Sequence, residues 1–499
     1  MDLEFQNKPL TYLQNVVGRP QTQEQTQEVR LPEGMPDIGN VVTSWAQVIL
    51  RGKEWRGDRV GVNGGVMVWV MYLPEEENIP QAVSAWIPFQ MKWDIPQTRH
   101  DGTLLASPFL RSVDARSLSA RKLMVRTTFG VSLDGMVPEE VNVFHPGEVP
   151  EDLHLLKKTY PCCLPTEAGE KPFELEECFT LPANMPEPER IIRCCLEPMI
   201  TEWKMMADKL VFRGHGQFYM LYRCKNGQLH SWQQQMPFSQ YGELDQEYDD
   251  SCAVKLCPMV TELEADLTEA GQLCIKSGIS VQFVIFKEHK ITLVEDSYSC
   301  KRDVEPKIQA LFIPSLLDRQ LLPFSVEQTV EADAAQVLDL TLYMDEPQKT
   351  CHQDRWEIRL PGSFSLLYLD PEGNYQSTNA YWEESMPLPA EESAKIQATA
   401  TMSGLPMTGM SSNGVSMQAD LQLDLQTTAG QGIPMVTDLE LGEERPADPD
   451  RPSLILRRAT GNDLWHIAKE SGADLQAIRE ANGLEGDPEP GQMLLIPIL

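Results

Sequence analysis

The chain repeats itself, and that constrains its fold more than any other feature. LPEGMPDIGNVV from Leu31 is answered by LPANMPEPERII from Leu181, 150 residues later. A second anchor comes next: Asp58 precedes Tyr72, Asp208 precedes Tyr222 and Asp354 precedes Tyr368, each by 14 residues. A third pairs Trp with Pro: Trp86-Ile87-Pro88-Phe89, then Trp232 to Pro237-Phe238, then Trp382 to Pro387. Taken in register, the three anchors predict three copies of one unit. Several cores are required in any case, because one core rarely serves more than roughly 250–300 residues and this chain has 499.

Each copy reads as β. Gly65–Tyr72, Gly216–Tyr222 and Gly362–Tyr368 are short runs of aromatic and β-branched residues that end at turn signals. Asn226-Gly227 is a hairpin dipeptide. After Ser412-Asn413-Gly414, residues Val415, Met417, Ala419, Leu421, Leu423 and Leu425 alternate with polar ones, which marks a strand with one dry face. A short helix is expected within Asn184–Ile200, limited by Pro186, Pro188 and Pro198. The units are placed at residues 20–165, 166–310 and 311–442. Their repeated Asp, Tyr and Trp are read as turn and core residues, with a repeated ligand groove as the rival reading.

Glu443–Pro452 (EERPADPDRP) then breaks the pattern with three prolines among charges, so it reads as an extended spacer that decouples the C-terminal residues from the repeats. The last segment, 453–499, has the order β-α-α-β. SLILRR (453–458) is a strand. Gly461-Asn462-Asp463 turns and caps a helix whose face is Leu464, Ile467 and Ala468. Gly472 ends it. Asp474 caps a second helix with Leu475, Ile478 and Ala481 on one face, stopped at Asn482-Gly483, and MLLIP (493–497) closes the module. Trp465 is expected in its core.

Charge and cysteine usage narrow the functional classes. Lys and Arg total 42 against 74 Asp and Glu, a net charge of -32, so nucleic acid and anionic lipid are repelled and a cationic partner is favoured. The N-terminal residues lack a basic start followed by an apolar run, and no apolar stretch is long enough to span a bilayer, so retention in the compartment of synthesis is expected. The 11 Cys form no CxxC pair; no metal site is expected, and reduced thiols are. There is no phosphate-binding loop, no G-x-G-x-x-G, no H-E-x-x-H and no nucleophile elbow, so neither a cofactor nor a catalytic residue is assigned.

The repeat resembles the SPOCS domain of spore coat morphogenetic proteins, through the LPEGMPDI opening, the Asp-Arg-Val…Tyr-Leu strand and the Trp-x-Pro-Phe strand. Copy three diverges most, opening with EQTVEADAAQVL at Glu327–Leu338 in place of Leu-Pro. The C-terminal segment resembles a LysM domain, through Gly461–Ala468, Ala481–Leu484, Pro490-Gly491-Gln492 and Leu495-Ile496-Pro497. Together they imply a mainly β protein, three SPOCS-like units followed by a small βααβ module.

The LysM resemblance implies a shallow groove for N-acetylglucosamine-containing glycan, or a lipid-linked precursor of it, built by Gly461, Asn462, Asp463, Leu464, Asn482, Gly483 and Leu484. Glycines 461 and 483 would let backbone approach the acetamide, and Leu464 and Leu484 would meet its methyl. The usual Gly-Asp-Thr is here Gly461-Asn462-Asp463, and a protein-docking role stays open beside glycan binding. The family implies a non-enzymatic scaffold in the mother-cell cytoplasm, at the forespore surface, whose partners are a basement-layer ATPase and other coat proteins. The alternative is a peptidoglycan-binding wall or phage-type structural protein.

Overall fold

A computed structural model describes residues 5–95, 102–268, 271–352, 355–388, 395–411, 414–446, 452–459 and 463–498. Nearly all of it is antiparallel sheet. The first unit contains β1 (Phe5–Asn15), β2 (Arg19–Arg30), β3 (Ile38–Arg56), β4 (Arg59–Pro74), β5 (Gln81–Asp94), β6 (Thr103–Ser119) and β7 (Lys122–Pro146). The second contains β8 (Leu153–Thr180), β9 (Pro188–Met206), β10 (Lys209–Cys224), β11 (Leu229–Glu243), β12 (Ala253–Leu267) and β13 (Gln272–Ser299). The third contains β14 (Arg302–Val330), β15 (Gln336–Met344), β16 (Gln348–His352), β17 (Arg355–Leu369), β18 (Tyr375–Pro387), β19 (Lys395–Met402), β20 (Met407–Ser411) and β21 (Gly414–Glu444).

Each unit is two layers. An inner meander (β3-β4-β5, β9-β10-β11, and β15 to β18 around β17) packs on an outer sheet. In the outer sheet the unit's last long strand returns to its first: β7 pairs β1 and β2, β13 pairs β8, and β21 pairs β14. The expected breaks at 165/166 and 310/311 therefore fall inside β8 and β14. The opening strand of a unit finds its partner only when the unit closes, so nothing local in the sequence assigns it. The helix expected within Asn184–Ile200 is also overturned. Pro188–Met206 is β9, whose residues pair along β10 with bulges that absorb the register.

The repeated anchors have structural roles. Tyr72 and Tyr222 are fully buried, and each hydroxyl donates to a carbonyl of the opening motif, Pro36 O at 2.9 Å and Pro186 O at 3.0 Å. Asp58 and Asp208 sit at the turn before the strand, where their carbonyls accept Ile95 N and Leu244 N at 2.7 and 2.9 Å; Asp354 lies outside the described residues. The Trp anchor is not in register, contrary to the expectation. Trp86 lies opposite Met67, Trp232 opposite Met220 and Trp382 opposite Gly362, at different distances from the Tyr of each copy. Trp86 and Trp382 instead share a packing device, because each ring lies where a Cβ at Gly65 or Gly362 would be. The alternating run Val415 to Leu425 in β21 is buried throughout, as its period of two requires; Ser412 and Asn413 lie outside the described residues.

The three units close on one another. β5 touches β9, β11 touches β15 and β18 touches β3, so each unit meets the next in a cyclic order. At the centre, Arg193 of the second unit pairs with Asp339 of the third at 3.2 Å and donates to Thr341 Oγ1 at 2.6 Å. Trp45 of the first unit donates its indole N–H to Asp339 at 2.9 Å, and the Tyr219 hydroxyl donates to the other oxygen at 2.5 Å. The Arg193 guanidinium lies over both rings. A charge pair this buried survives only because nearly every polar atom finds a partner. A second shared core, from Tyr12, Leu164, Leu293, Leu311 and Met435, joins the outer sheets of all three units.

One cysteine pair corrects the expectation of reduced thiols. Cys178 and Cys274, 96 residues apart, are directly opposite on β8 and β13 and form a disulfide. The ladder register brings them together, and sequence spacing hides it.

Candidate functional site

The C-terminal module is β22 (Leu454–Arg458), α1 (Leu464–Ser471), α2 (Leu475–Asn482) and β23 (Met493–Pro497), with β22 and β23 paired antiparallel. Both helices start on the expected caps. The Asp463 carboxylate accepts His466 N at 2.9 Å, and Asp474 accepts Ala477 N at 2.6 Å. Both end on a left-handed glycine, Gly472 at φ 59° and Gly483 at φ 64°, where a side chain would strain the backbone. Partial burial would raise the Asp463 carboxyl. The N–H of His466 and its ring, 2.6 Å away, outweigh that and hold it below the usual carboxylate range.

The candidate groove residues separate in space by role. Gly461 and Asn462 lie outside the described residues. Asp463 and Gly483 are exposed and Leu484 is half-buried. Leu464 does not match the expectation: it is 1% exposed and packs in the module's core, so it has no surface to offer an acetamide methyl. Nor is the Asn482 amide free. It donates to Leu495 O at 2.6 Å and accepts Leu495 N at 2.7 Å, supplying the ladder bonds that the edge of β23 would otherwise lack. Asp487 escapes a reading of the sequence. Its carboxylate accepts Leu464 N at 2.9 Å and ties the loop after α2 to the start of α1. No spacing rule marks it. Of the candidate residues described, Asp463 and Gly483 stay exposed, as does His466 beside Asp463 at the start of α1.

The proline spacer predicts an independent module, and the contacts contradict that. Trp465 Nε1 donates to Asp296 Oδ2 of β13 at 2.9 Å, and Lys469 Nζ reaches both Asp296 oxygens at 2.6 and 2.8 Å. Burial would raise the Asp296 carboxyl, but these donors hold it below the usual carboxylate range. The Tyr298 hydroxyl donates to Ala473 O at 2.9 Å, its ring meets Trp465 edge-on, and His154 stands 3.4 Å from Asp474. Tyr298 and Cys300 of the second unit share a core with Trp465, Ala468 and Ala473. The docked surface is the α1 side. The opposite face of the two-stranded sheet stays open, with Leu454, Leu456, Met493 and Leu495 between 40% and 64% exposed. Arg445, at the start of the spacer, pairs with Asp303 at 2.6 Å, and residues 447–451 lie outside the described residues.

Among the described residues no cluster of three or more His, Cys, Asp or Glu is placed to hold a metal ion, and no helix is long and apolar enough to cross a membrane.

Residues 187–268 match the family model described as SipL, SPOCS domain, and residues 459–497 match that of the LysM domain. The first match spans the inner meander of the second unit and β12; the second spans α1, α2 and β23. The chain thus carries a segment similar to the SPOCS domain of SipL and, at residues 459–497, one similar to the LysM domain. No curated protein and no solved structure matches the chain.

Proposed function

We propose that this SPOCS- and LysM-bearing chain is a non-enzymatic scaffold of spore coat assembly, working in the mother cell at the forespore surface. The observation that carries the reading is the docking of the LysM module on the second unit through Asp296, Tyr298 and His154. A tethered glycan binder would be free to reorient. A docked one is carried at a fixed place on a large acidic β body, as a scaffold that aligns two layers requires.

Two contacts are proposed for the module. The loops at 461–464 and 482–484 would take N-acetylglucosamine-containing glycan or its lipid-linked precursor, with the Gly483 backbone and Leu484 as the principal contacts. The open apolar face of β22 and β23 favours a second reading, in which the module docks the basement-layer ATPase. Exposed apolar faces of this kind mark protein contacts more often than chance. Other coat proteins would meet the β units. The runner-up is a peptidoglycan-binding wall or phage-type structural protein.

Localisation of a fluorescent fusion in a sporulating host separates the readings, comparing the full chain with one ending at Asp448. A ring around the forespore that needs the C-terminal module supports the scaffold. Diffuse signal, or signal at the outer wall, contradicts it.

A further inference from the structure

A groove of about 440 Å³ runs between the first and second units, away from the LysM module. Its apolar floor includes Met35, Met67 and Trp69 of the first unit and Ile192 of the second. Glu264 and Asp266, exposed near the end of β12, form one wall. They point to the same side of the strand, two residues apart. Burial, with Cys195 and more weakly Asp266 adding to it, pushes the thiol of Cys194, also on the floor, up to about 12. Arg190 lines the other wall, but its guanidinium is held by neutral groups, Gln81 Oε1 at 3.2 Å, Ala82 O at 3.1 Å and Met35 Sδ at 3.7 Å.

The pseudo-symmetry makes the acidic wall informative. Leu123 of the first unit and Leu273 of the second are 150 residues apart, the offset of the repeat, and lie opposite Ser117 of β6 and Leu267 of β12. Further along each ladder, Asp266 opposite Cys274 corresponds to Arg116 opposite Met124, and Glu264 opposite Lys276 corresponds to Asp114 opposite Arg126. The fold therefore does not need a carboxylate at Asp266, where the first unit has an arginine. The second unit has two carboxylates here where the first has one, beside an aromatic and thioether floor.

We propose that this groove is a docking site for a basic side chain, an arginine or lysine presented by an extended segment of a partner protein. The aliphatic stem would lie on Met67 and Trp69, and the cationic head would meet Glu264 and Asp266. Stem on apolar surface and head on carboxylate is the arrangement that desolvates least charge. The indole face adds cation–π attraction. A chain of net charge -32 draws such a partner in at long range. The site is independent of the LysM module, so it stands whether or not that module binds glycan.

The test is methyl NMR on the full chain labelled at methionine, with the Met35 and Met67 signals assigned by substitution. The probe is an extended octapeptide with two arginines, and its control carries citrulline in their place. Saturable shifts at Met35 and Met67 with the arginine peptide are expected at millimolar concentration. They weaken by roughly tenfold or more in E264Q/D266N, the loss expected for removing a partly desolvated charge pair. Circular dichroism of the variant confirms the fold. Equal shifts with the citrulline peptide, unchanged binding by the variant, or no shift at Met35 and Met67 would each overturn the site.

Discussion

Replacing Asp296 by Ala removes the acceptor on which the C-terminal module is seated. The carboxylate takes one indole N–H at 2.9 Å and both bonds from the Lys469 ammonium at 2.6 and 2.8 Å. Its side chain is 19% exposed and that of Lys469 is 38% exposed, so the ion pair is partly screened. A charge-assisted bond contributes about 1.5–3 kcal/mol when shielded from water, and the exposed end of the pair contributes less. The sum is about 2–3 kcal/mol, since the N–H of the buried Trp465 is also left unpaired. That shifts the docked-to-free equilibrium by roughly 30- to 150-fold. Hydrogen exchange reads it directly. In D296A the amides of β13 near Tyr298 and of α1 should lose protection together, while those of β4 and β10 keep theirs. Unchanged protection on both sides of the contact would refute the reasoning, because it would mean that the seat contributes no measurable stability. Asp296→Asn keeps an acceptor for the indole, so it should fall between the two.

Three other outcomes are expected. Burial, with Asp134 adding to it, pushes the Glu346 carboxyl up to about 7 from 4.5, where Ser132 of the first unit donates to it at 2.5 Å. The folded state therefore binds the extra proton between those values, so stability falls as pH rises from about 4.5 through 7, by about 1–3 kcal/mol, and Glu346→Gln should flatten that part of a denaturation series. Arg193→Ala leaves Asp339 buried without its cation and should cost about 3–5 kcal/mol, seen as loss of protection in all three inner sheets at once, since the pair joins the second and third units and Trp45 of the first. Tyr222→Phe deletes only the bond to Pro186 O and should cost about 1 kcal/mol by urea denaturation, with no change in the inner sheets' spectra.

How much of this the sequence disclosed depends on the range of each interaction. Caps and period-two alternation are local, so Asp463, Gly472, Asp474, Gly483 and the Val415–Leu425 strand were legible from neighbouring residues alone. The repeated Tyr was legible as a landmark, although its purpose, a bond to a carbonyl 36 residues earlier, was not. Long-range pairing stayed hidden. Strands β8 and β14 carry no mark that they belong with β13 and β21, and this moved two boundaries by a dozen or so residues. The Asp296 contact joins residues 169 positions apart, and the prolines of the spacer argued against it. At the candidate site, Leu464 and Asn482 sit in motif positions, but one is consumed by the core and the other by a strand edge. A motif reports which residues recur and not which of them face solvent.

The fixed seat of the C-terminal module on the second unit is the claim on which the rest depends. Spin labels at Lys157→Cys, beside the docking strand, and Gln476→Cys, on the open side of α2, with Cys351 replaced by Ser, measure it by pulsed electron resonance. A single narrow distance distribution, broadened by D296A, is the predicted result. A broad distribution in the parent chain, unchanged by D296A, would mean that the module swings on its proline spacer and that the scaffold does not hold it in place.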